Sequence, residues 1–153
     1  LLTNMNISLT KTYASLYDMY FLYKNYHWNI QNTQKFYELH ELFDKHAKEN
    51  FAFVDTVAER LRQLHQPAEG DMAKLAEESV IRDNKDIFLY DLLPQTMLKN
   101  LYQAHQALSE FLQNAKIELD KENDYDTQDL IIEISRANNQ MQWFIRSSIE
   151  PTK

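Results

Sequence analysis

A chain of 153 residues is long enough for one folded unit, expected to span 1–153, that buries a sizeable core without metal or disulfide support. One Gly, three Pro and 44% hydrophobic residues exclude glycine-rich phosphate loops and disfavour sheets built on tight turns, and the absence of Cys leaves only imidazole and carboxylate to hold a metal. A net charge of -7 with no basic cluster argues against gripping a phosphate backbone and for attracting cations.

The first helix carries Met5, Leu9, Tyr13, Leu16, Tyr20, Tyr23 and His27 at spacings of four and three, one stripe that puts His27 at a core-facing edge near its end. Gln31, Asn32 and Thr33 break the pattern. A second helix follows over Phe36 to His65, free of Gly and Pro, with Phe36, His40, Phe43, Ala47, Phe51, Val54, Ala58 and Leu61 as its apolar face. The short link makes the two helices antiparallel, so His27 and His40 are expected to approach each other. Gln66 to Gly70 is a break, and Met72 to Glu78 has room for two helical turns in a crossover that runs on through Asn84 to Pro94. A third helix follows with Pro94 near its start, where its missing N–H does no harm; Met97, Leu101, Ala104, Leu108, Phe111 and Ala115 mark its inner face, and it is expected to end near Asp120. After an acidic link, Asp120 to Asp126, a fourth helix carries Ile131, Ile134, Asn138, Met141 and Ile145, with Asp126 or Thr127 expected as its cap. The expected class is all-α: a ferritin-like four-helix bundle with a short helix in the long crossover between the second and third long helices. Leu1 to Thr12 holds one lysine and no long apolar run, so neither a secretion signal nor a membrane span is expected and the cytoplasm is the expected compartment.

Two pairs stand out on the second helix, His40/Asp44 and Asp55/Glu59. The fifteen residues from His40 to Asp55 span about 22 Å at roughly 1.5 Å per residue, whereas metal bonds to nitrogen and oxygen are only about 2 Å long. One copy cannot bring both pairs to one ion. At roughly 100° per residue, Asp44 and Asp55 nevertheless lie within about 20° around the axis. A second copy laid antiparallel, with a two-fold between Glu49 and Asn50, sets His40 opposite the other chain's Glu59 and Asp44 opposite its Asp55, the reciprocity a closed two-fold contact requires. The inward Glu-x-x-His pairs of di-iron bundles do not occur, so a centre inside one bundle is not expected. Symmetry-related metal sites at a dimer interface are.

Asn25-Tyr26-His27-Trp28-Asn29, Leu39-His40-Glu41-Leu42-Phe43-Asp44 and Asp55-Thr56-Val57-Ala58-Glu59-Arg60, in this order and spacing, resemble the Dps family, the mini-ferritins also called DNA-binding proteins from starved cells. Asp126-Thr127-Gln128-Asp129-Leu130 and Trp143-Phe144-Ile145 followed by Ser148-Ile149-Glu150 extend the likeness to nearly the whole chain. The resemblance implies a hollow homo-dodecamer whose ferroxidase centres lie between two-fold related subunits, with Fe(II) oxidised by hydrogen peroxide or dioxygen and stored inside as an Fe(III) mineral. By position it makes His27, His40 and Asp44 ligands from one subunit and Asp55 and Glu59 ligands from its partner. It also places Trp28 where it could quench stray oxidising equivalents, and Asp120, Asp124 and Asp129 around pores on the three-fold axes. A ring of carboxylates there would draw cations inward.

Plainer readings compete. Asp55 and Glu59 could be a solvated pair, although like charges at that spacing repel without a cation. Asp120 to Asp129 could be an acidic, soluble loop, and Trp28 also serves packing. His46, His65 and His105 fit no ligand spacing and are expected to be structural or at the surface. Two departures from the family pattern matter. The second helix ends on His65-Gln66 where many members have Gly-Gly, and Lys11 is the one lysine of the first twelve residues, so the lysine-rich tail by which some members condense DNA is not seen there. DNA binding is doubtful for this chain. A nucleoid-associated, DNA-coating particle is the alternative that an upstream basic extension would favour, and a bundle that has lost catalysis is a third.

Overall fold

The computed structural model describes residues 2–152, with side chains from Ser8 onward, so Met5 lies outside the described side chains. Helices account for the regular structure among these residues: α1 Leu2–Asn29, α2 Phe36–Gln63, α3 Met72–Glu78, α4 Pro94–Lys121 and α5 Tyr125–Ser148. α1 packs along α2 and α4 along α5, while contacts of α1 with α4 and α2 with α5 close a four-helix bundle; α3 lies against α1. This is the all-α, ferritin-like arrangement, with the short helix inside the crossover between the second and third long helices.

The inner faces follow the apolar spacing closely in α4 and α5. Met97, Leu101, Ala104, Leu108 and Ala115 are buried, as are Ile131, Ile134, Asn138, Met141 and Ile145. α2 is rotated from the expected stripe. Phe43, Ala47, Val54 and Leu61 are buried, but Leu39, His46, Asn50 and Val57 join them, while Phe36 and Phe51 are exposed. Phe51 instead lies against the rings of Tyr17 and Tyr20 on α1, with centroids 5.8 and 5.0 Å away. α1 is covered on most of its circumference because α2, α3 and α4 all touch it, which is why Met19, Leu22 and Tyr26 are buried beside the predicted Leu9, Tyr13, Leu16 and Tyr23.

Polar groups of α1 tie down the irregular crossover. Tyr13 Oη donates to the Glu69 carbonyl (2.9 Å), Ser15 Oγ accepts from Val80 N (3.0 Å), Asn25 Nδ2 donates to the Phe88 carbonyl (3.0 Å), and Tyr26 Oη donates to the Ile87 carbonyl. Arg82 forms a two-pronged pair with Asp18, both contacts 2.7 Å, and its guanidinium lies over the Phe88 ring. A loop this long stays ordered because its backbone groups find such partners.

Two helix ends show how the chain manages without glycine. At the end of α2, His65 has φ 60°, His65 N–H donates to the Arg62 carbonyl (3.0 Å) and Gln66 N–H to the Leu61 carbonyl (2.9 Å), a Schellman closure with a side-chain-bearing residue in the left-handed position. His65 is exposed, so little but its backbone strain is at stake there. His65→Gly should therefore raise stability by about 0.5–1 kcal/mol, the relief of the left-handed penalty less the entropy of glycine; a lower urea midpoint would refute that. At the end of α4, Asn123 (φ 58°) takes the same position, with Asp124 N–H donating to the Leu119 carbonyl (3.2 Å). Asp124 then caps α5, its carboxylate accepting from Thr127 N (3.1 Å) and Thr127 Oγ1 (2.5 Å). The cap is thus Asp124 and not Asp126 or Thr127, and the link is shorter than the acidic run suggested, because α4 and α5 share a turn in which one residue closes the first helix and opens the second.

A polar seam crosses the core between α1, α2, α4 and α5. Asn138 Nδ2 donates to the His105 carbonyl (3.1 Å) and to Ser109 Oγ (2.8 Å), which leaves Asn138 Oδ1 facing His105 Nδ1 at 2.6 Å. An amide oxygen only accepts, so His105 Nδ1 carries the proton and Nε2 presents a lone pair. Tyr23 Oη, 2.5 Å from that Nε2, must donate to it, and then accepts from His46 Nδ1 at 3.0 Å. His46 and His105, expected to be structural or superficial, are both fully buried. Burial holds His105 neutral, lowering its pKa from 6.5 to about 4 against the opposing bond to Asn138, and lowers that of His46 to about 3.

The unfolded chain would accept a proton on His105 near pH 6.5 and the folded chain only near 4, so this stabilisation is complete above 6.5 and is lost as pH falls towards 4. Full loss amounts to roughly 3 kcal/mol. Urea midpoints should drop between pH 6.5 and 4, and His105→Gln should flatten that slope; an equal slope in both proteins would contradict the burial argument.

Candidate metal centre

The end of α1 and the start of α2 bring His27 and His40 together as the short link predicts. Their rings stack with centroids 3.8 Å apart and 17° between planes. Each ring is anchored by the other's backbone: His27 Nδ1 lies 2.6 Å from the His40 carbonyl and His40 Nδ1 lies 2.7 Å from the His27 carbonyl. A carbonyl cannot donate, so both Nδ1 atoms carry protons and both Nε2 atoms keep lone pairs available to a metal. A carbonyl behind each imidazole also fixes ring orientation, as outer partners of metal-bound histidines do. Both residues are half-buried; the indole of Trp28, beside His27 in sequence, is 65% exposed.

Asp44 sits one helical turn beyond His40 and is held between two cations. Lys24 Nζ contacts its Oδ1, and Lys48 Nζ lies 2.6 Å from its Oδ2. The Lys24 hydrogen bond foremost, then that of Lys48, hold the Asp44 carboxyl down at about 2, so it is an anion across the physiological range. Sequence reasoning missed Lys24, although its place three residues before His27 puts it on the same side of α1. Lys48, four residues after Asp44, was missed as well, although that spacing is the signature of a helix pair.

Asp55 and Glu59 stand elsewhere. Glu41, Lys45, Lys48, Ala52, Asp55 and Glu59, spaced by four and three, are all exposed and form one open face of α2. Because α2 is continuous from Phe36 to Gln63, the separation of about 22 Å between His40 and Asp55 holds at roughly 1.5 Å per residue. Among the described residues, no three His, Cys, Asp or Glu side chains of one subunit converge as a metal site. His27 and His40 are together, Asp44 is next to them but engaged by lysines, and the second carboxylate pair lies far along the same helix.

Of the acidic residues assigned to a pore, Asp120 and Asp129 are exposed. Asp124 is half-buried, with its carboxylate used by the α5 cap and by Arg60, whose Nη2 is 3.3 Å away and whose Nε donates to Thr127 Oγ1 at 2.9 Å. Arg60 follows Glu59 directly, so the α4–α5 turn and the carboxylate end of α2 are mechanically joined.

The comparisons with known proteins bear on the family and the fold. A ferritin-like domain family model matches residues 8–153. DpsC from Streptomyces coelicolor superposes with a TM-score of 0.86 at 32% sequence identity, the match covering 95% of this chain and 83% of that one. A protein from the bpoA2 5' region of Kitasatospora aureofaciens is 35% identical over 100 residues; that match covers 65% of this chain and 64% of the relative, less than two thirds of its length. The DNA protection during starvation protein of Mycolicibacterium smegmatis is 26% identical over 149 residues, 93% of this chain and 75% of the relative. With the ferritin-like domain matched across almost its whole length and a Dps structure sharing both its fold and about a third of its residues, the chain belongs to the Dps family of ferritin-like proteins.

Proposed function

We propose that the protein is a ferroxidase and iron store, assembled as a homo-dodecamer of single-domain subunits, in which Fe(II) is the substrate and centres form between two-fold related copies. The carrying observation is the reciprocal Nδ1-to-carbonyl anchoring of His27 and His40, which leaves both Nε2 lone pairs free on stacked rings, while among the described residues no third ligand of the same subunit converges on them to make a metal site. Asp55 and Glu59, on the open face of α2, are the groups a second antiparallel copy would bring opposite Asp44 and His40. Imidazole suits Fe(II), and carboxylate oxygens hold Fe(III) as it forms.

In this reading His27 and His40 bind and orient the ion, while Asp44, already ionised, exchanges its lysine partners for it. Asp55 and Glu59 close the sphere from across the interface. Two Fe(II) reduce one hydrogen peroxide, or dioxygen accepts the electrons, and the oxidised iron passes inward to the mineral. Asp120 and Asp129, exposed around the α4–α5 turn, are the residues we assign to the cation pore; Asp124 would contribute mainly by fixing that turn. No helix among the described residues is long and apolar enough to cross a membrane, and we place the particle in the cytoplasm. The net charge of -7 counts against direct DNA binding by this chain.

An anaerobic Fe(II) titration of the assembled protein, followed by separate additions of peroxide and air, tests the reading. Saturable binding followed by stoichiometric Fe(III) formation is expected. Absence of saturable Fe(II) binding would refute it.

A further inference from the structure

The seam through the bundle core contains a phenol whose two hydrogen bonds have fixed directions. Asn138 Oδ1 obliges His105 Nδ1 to donate, His105 Nε2 must therefore accept from Tyr23, and the Tyr23 oxygen in turn accepts from His46 Nδ1. Flipping Asn138 would set its oxygen against the His105 carbonyl, so the order cannot be reversed without an acceptor facing an acceptor. Tyr23, His46 and His105 are all fully buried. A phenol with a proton acceptor in line, a donor ready to hold the oxygen left behind, and no exposure to solvent is arranged for coupled loss of an electron and a proton. The neighbouring buried Tyr26 also has two partners, but it donates to a backbone carbonyl, which does not take up a proton as an imidazole Nε2 does.

Its position is also telling. Tyr23 precedes His27 by four residues on α1, about 6 Å along the axis. Its ring centroid is 6.0 Å from that of Phe43, which follows His40 by three residues on α2. The seam thus begins directly behind the histidine pair.

We infer that Tyr23 is a redox-active tyrosine that gives one electron to peroxide-derived one-electron oxidants while its phenolic proton passes to His105 Nε2. The oxidant class is hydroxyl radical, formed when one Fe(II) cleaves peroxide to Fe(III), hydroxide and that radical. The radical takes the electron and becomes hydroxide. At Tyr23 the O–H bond breaks, the N–H bond on His105 forms, and the products are a neutral phenoxyl and an imidazolium, with His46 Nδ1–H still bonded to the phenoxyl oxygen. An oxidised phenol is a much stronger acid than an imidazolium, so His105 suffices as acceptor despite its burial. A second Fe(II) returns the electron, His105 returns the proton, and the sum is two Fe(II) oxidised per peroxide reduced to two hydroxides. The supply of oxidant rests on the ferroxidase reading; the competence of the Tyr23–His105 pair does not.

Two measurements test this separately. In the first, metal-free protein carrying isotopically labelled histidine nitrogens is oxidised by photogenerated tris(bipyridine)ruthenium(III). The expected product is one long-lived neutral tyrosyl radical whose electron–nuclear double resonance spectrum shows coupling to imidazole nitrogen. That signal should be lost in Tyr23→Phe and short-lived in His105→Gln. A radical without imidazole coupling, or one unchanged in Tyr23→Phe, overturns the proposal; the coupling is read on the wild-type protein, so a variant that fails to fold does not leave it undecided. In the second, Fe(II)-loaded protein is mixed with peroxide and freeze-quenched, with the same radical expected. Iron oxidation without that radical overturns the role of Tyr23, whereas a protein that neither binds nor oxidises Fe(II) overturns the ferroxidase reading and leaves the first measurement to decide the pair.

Discussion

His40→Ala should weaken Fe(II) binding at the centre at least about 100-fold, since even outer partners of metal ligands are worth 10–100-fold. Two effects add. The variant removes one Nε2 lone pair, and it removes the ring that stacks on His27 at 3.8 Å, so the surviving imidazole loses part of its support. The His40 backbone carbonyl remains, and His27 Nδ1 keeps its acceptor. Folding should hardly change, because His40 is half-buried near the start of α2 and alanine is the best helix former. Anaerobic titration beside a thermal melt checks both halves. Unchanged tight binding would remove His40 from the centre, and a collapsed melt would make its role structural.

Phe43→Ala should cost about 3–5 kcal/mol, the range for deleting a large aromatic from a packed core. Phe43 is 0% exposed and stands between Tyr23 and Tyr26, with centroids 6.0 and 6.4 Å away. The backbone around it is continuous helix and cannot collapse into the gap. Because Phe43 lies one turn past His40 and against the α1 turn that leads to His27, the void opens behind the histidine pair. Urea unfolding should show the loss of stability, and Fe(II) binding at a temperature where the variant is still folded should be weaker than wild type. A loss below about 1 kcal/mol would show that the site relaxes more than close packing allows.

What was legible in the sequence followed period and punctuation. α3 and the neighbourhood of the α4 start were legible because the break at Gln66 to Gly70 and a proline near the first helical turn leave local signs; the capping Asp71 was a further sign that went unread. The faces of α4 and α5 were clear because each is buried along one stripe. α1 and α2 were read less well for a physical reason: α1 touches three other helices, and α2 turns Phe51 into an aromatic group on α1, so strong hydrophobes no longer mark the centre of the face. The α5 cap was misplaced because four acidic residues compete locally, and only the Schellman turn at Asn123 singles out Asp124. At the centre, the approach of His27 to His40 followed from one short link. Lys24 on Asp44, the anchoring carbonyls and the Tyr23–His105 pair depend on side-chain direction and on contacts up to 82 residues apart, which spacing along one helix does not reveal.

Mixed assembly tests the shared centre most directly. His40→Ala and Glu59→Ala subunits, each inactive alone, would be coexpressed in equal amounts. If each centre takes histidines from one copy and carboxylates from the other, every mixed pair contains one doubly damaged centre and one with no substitution, and random pairing restores about one quarter of the wild-type centres. Tight Fe(II) sites and peroxide-driven Fe(III) formation should both return at about that level. No recovery in assemblies shown to contain both subunits would mean that each subunit builds its centre alone, which contradicts a centre shared across the two-fold.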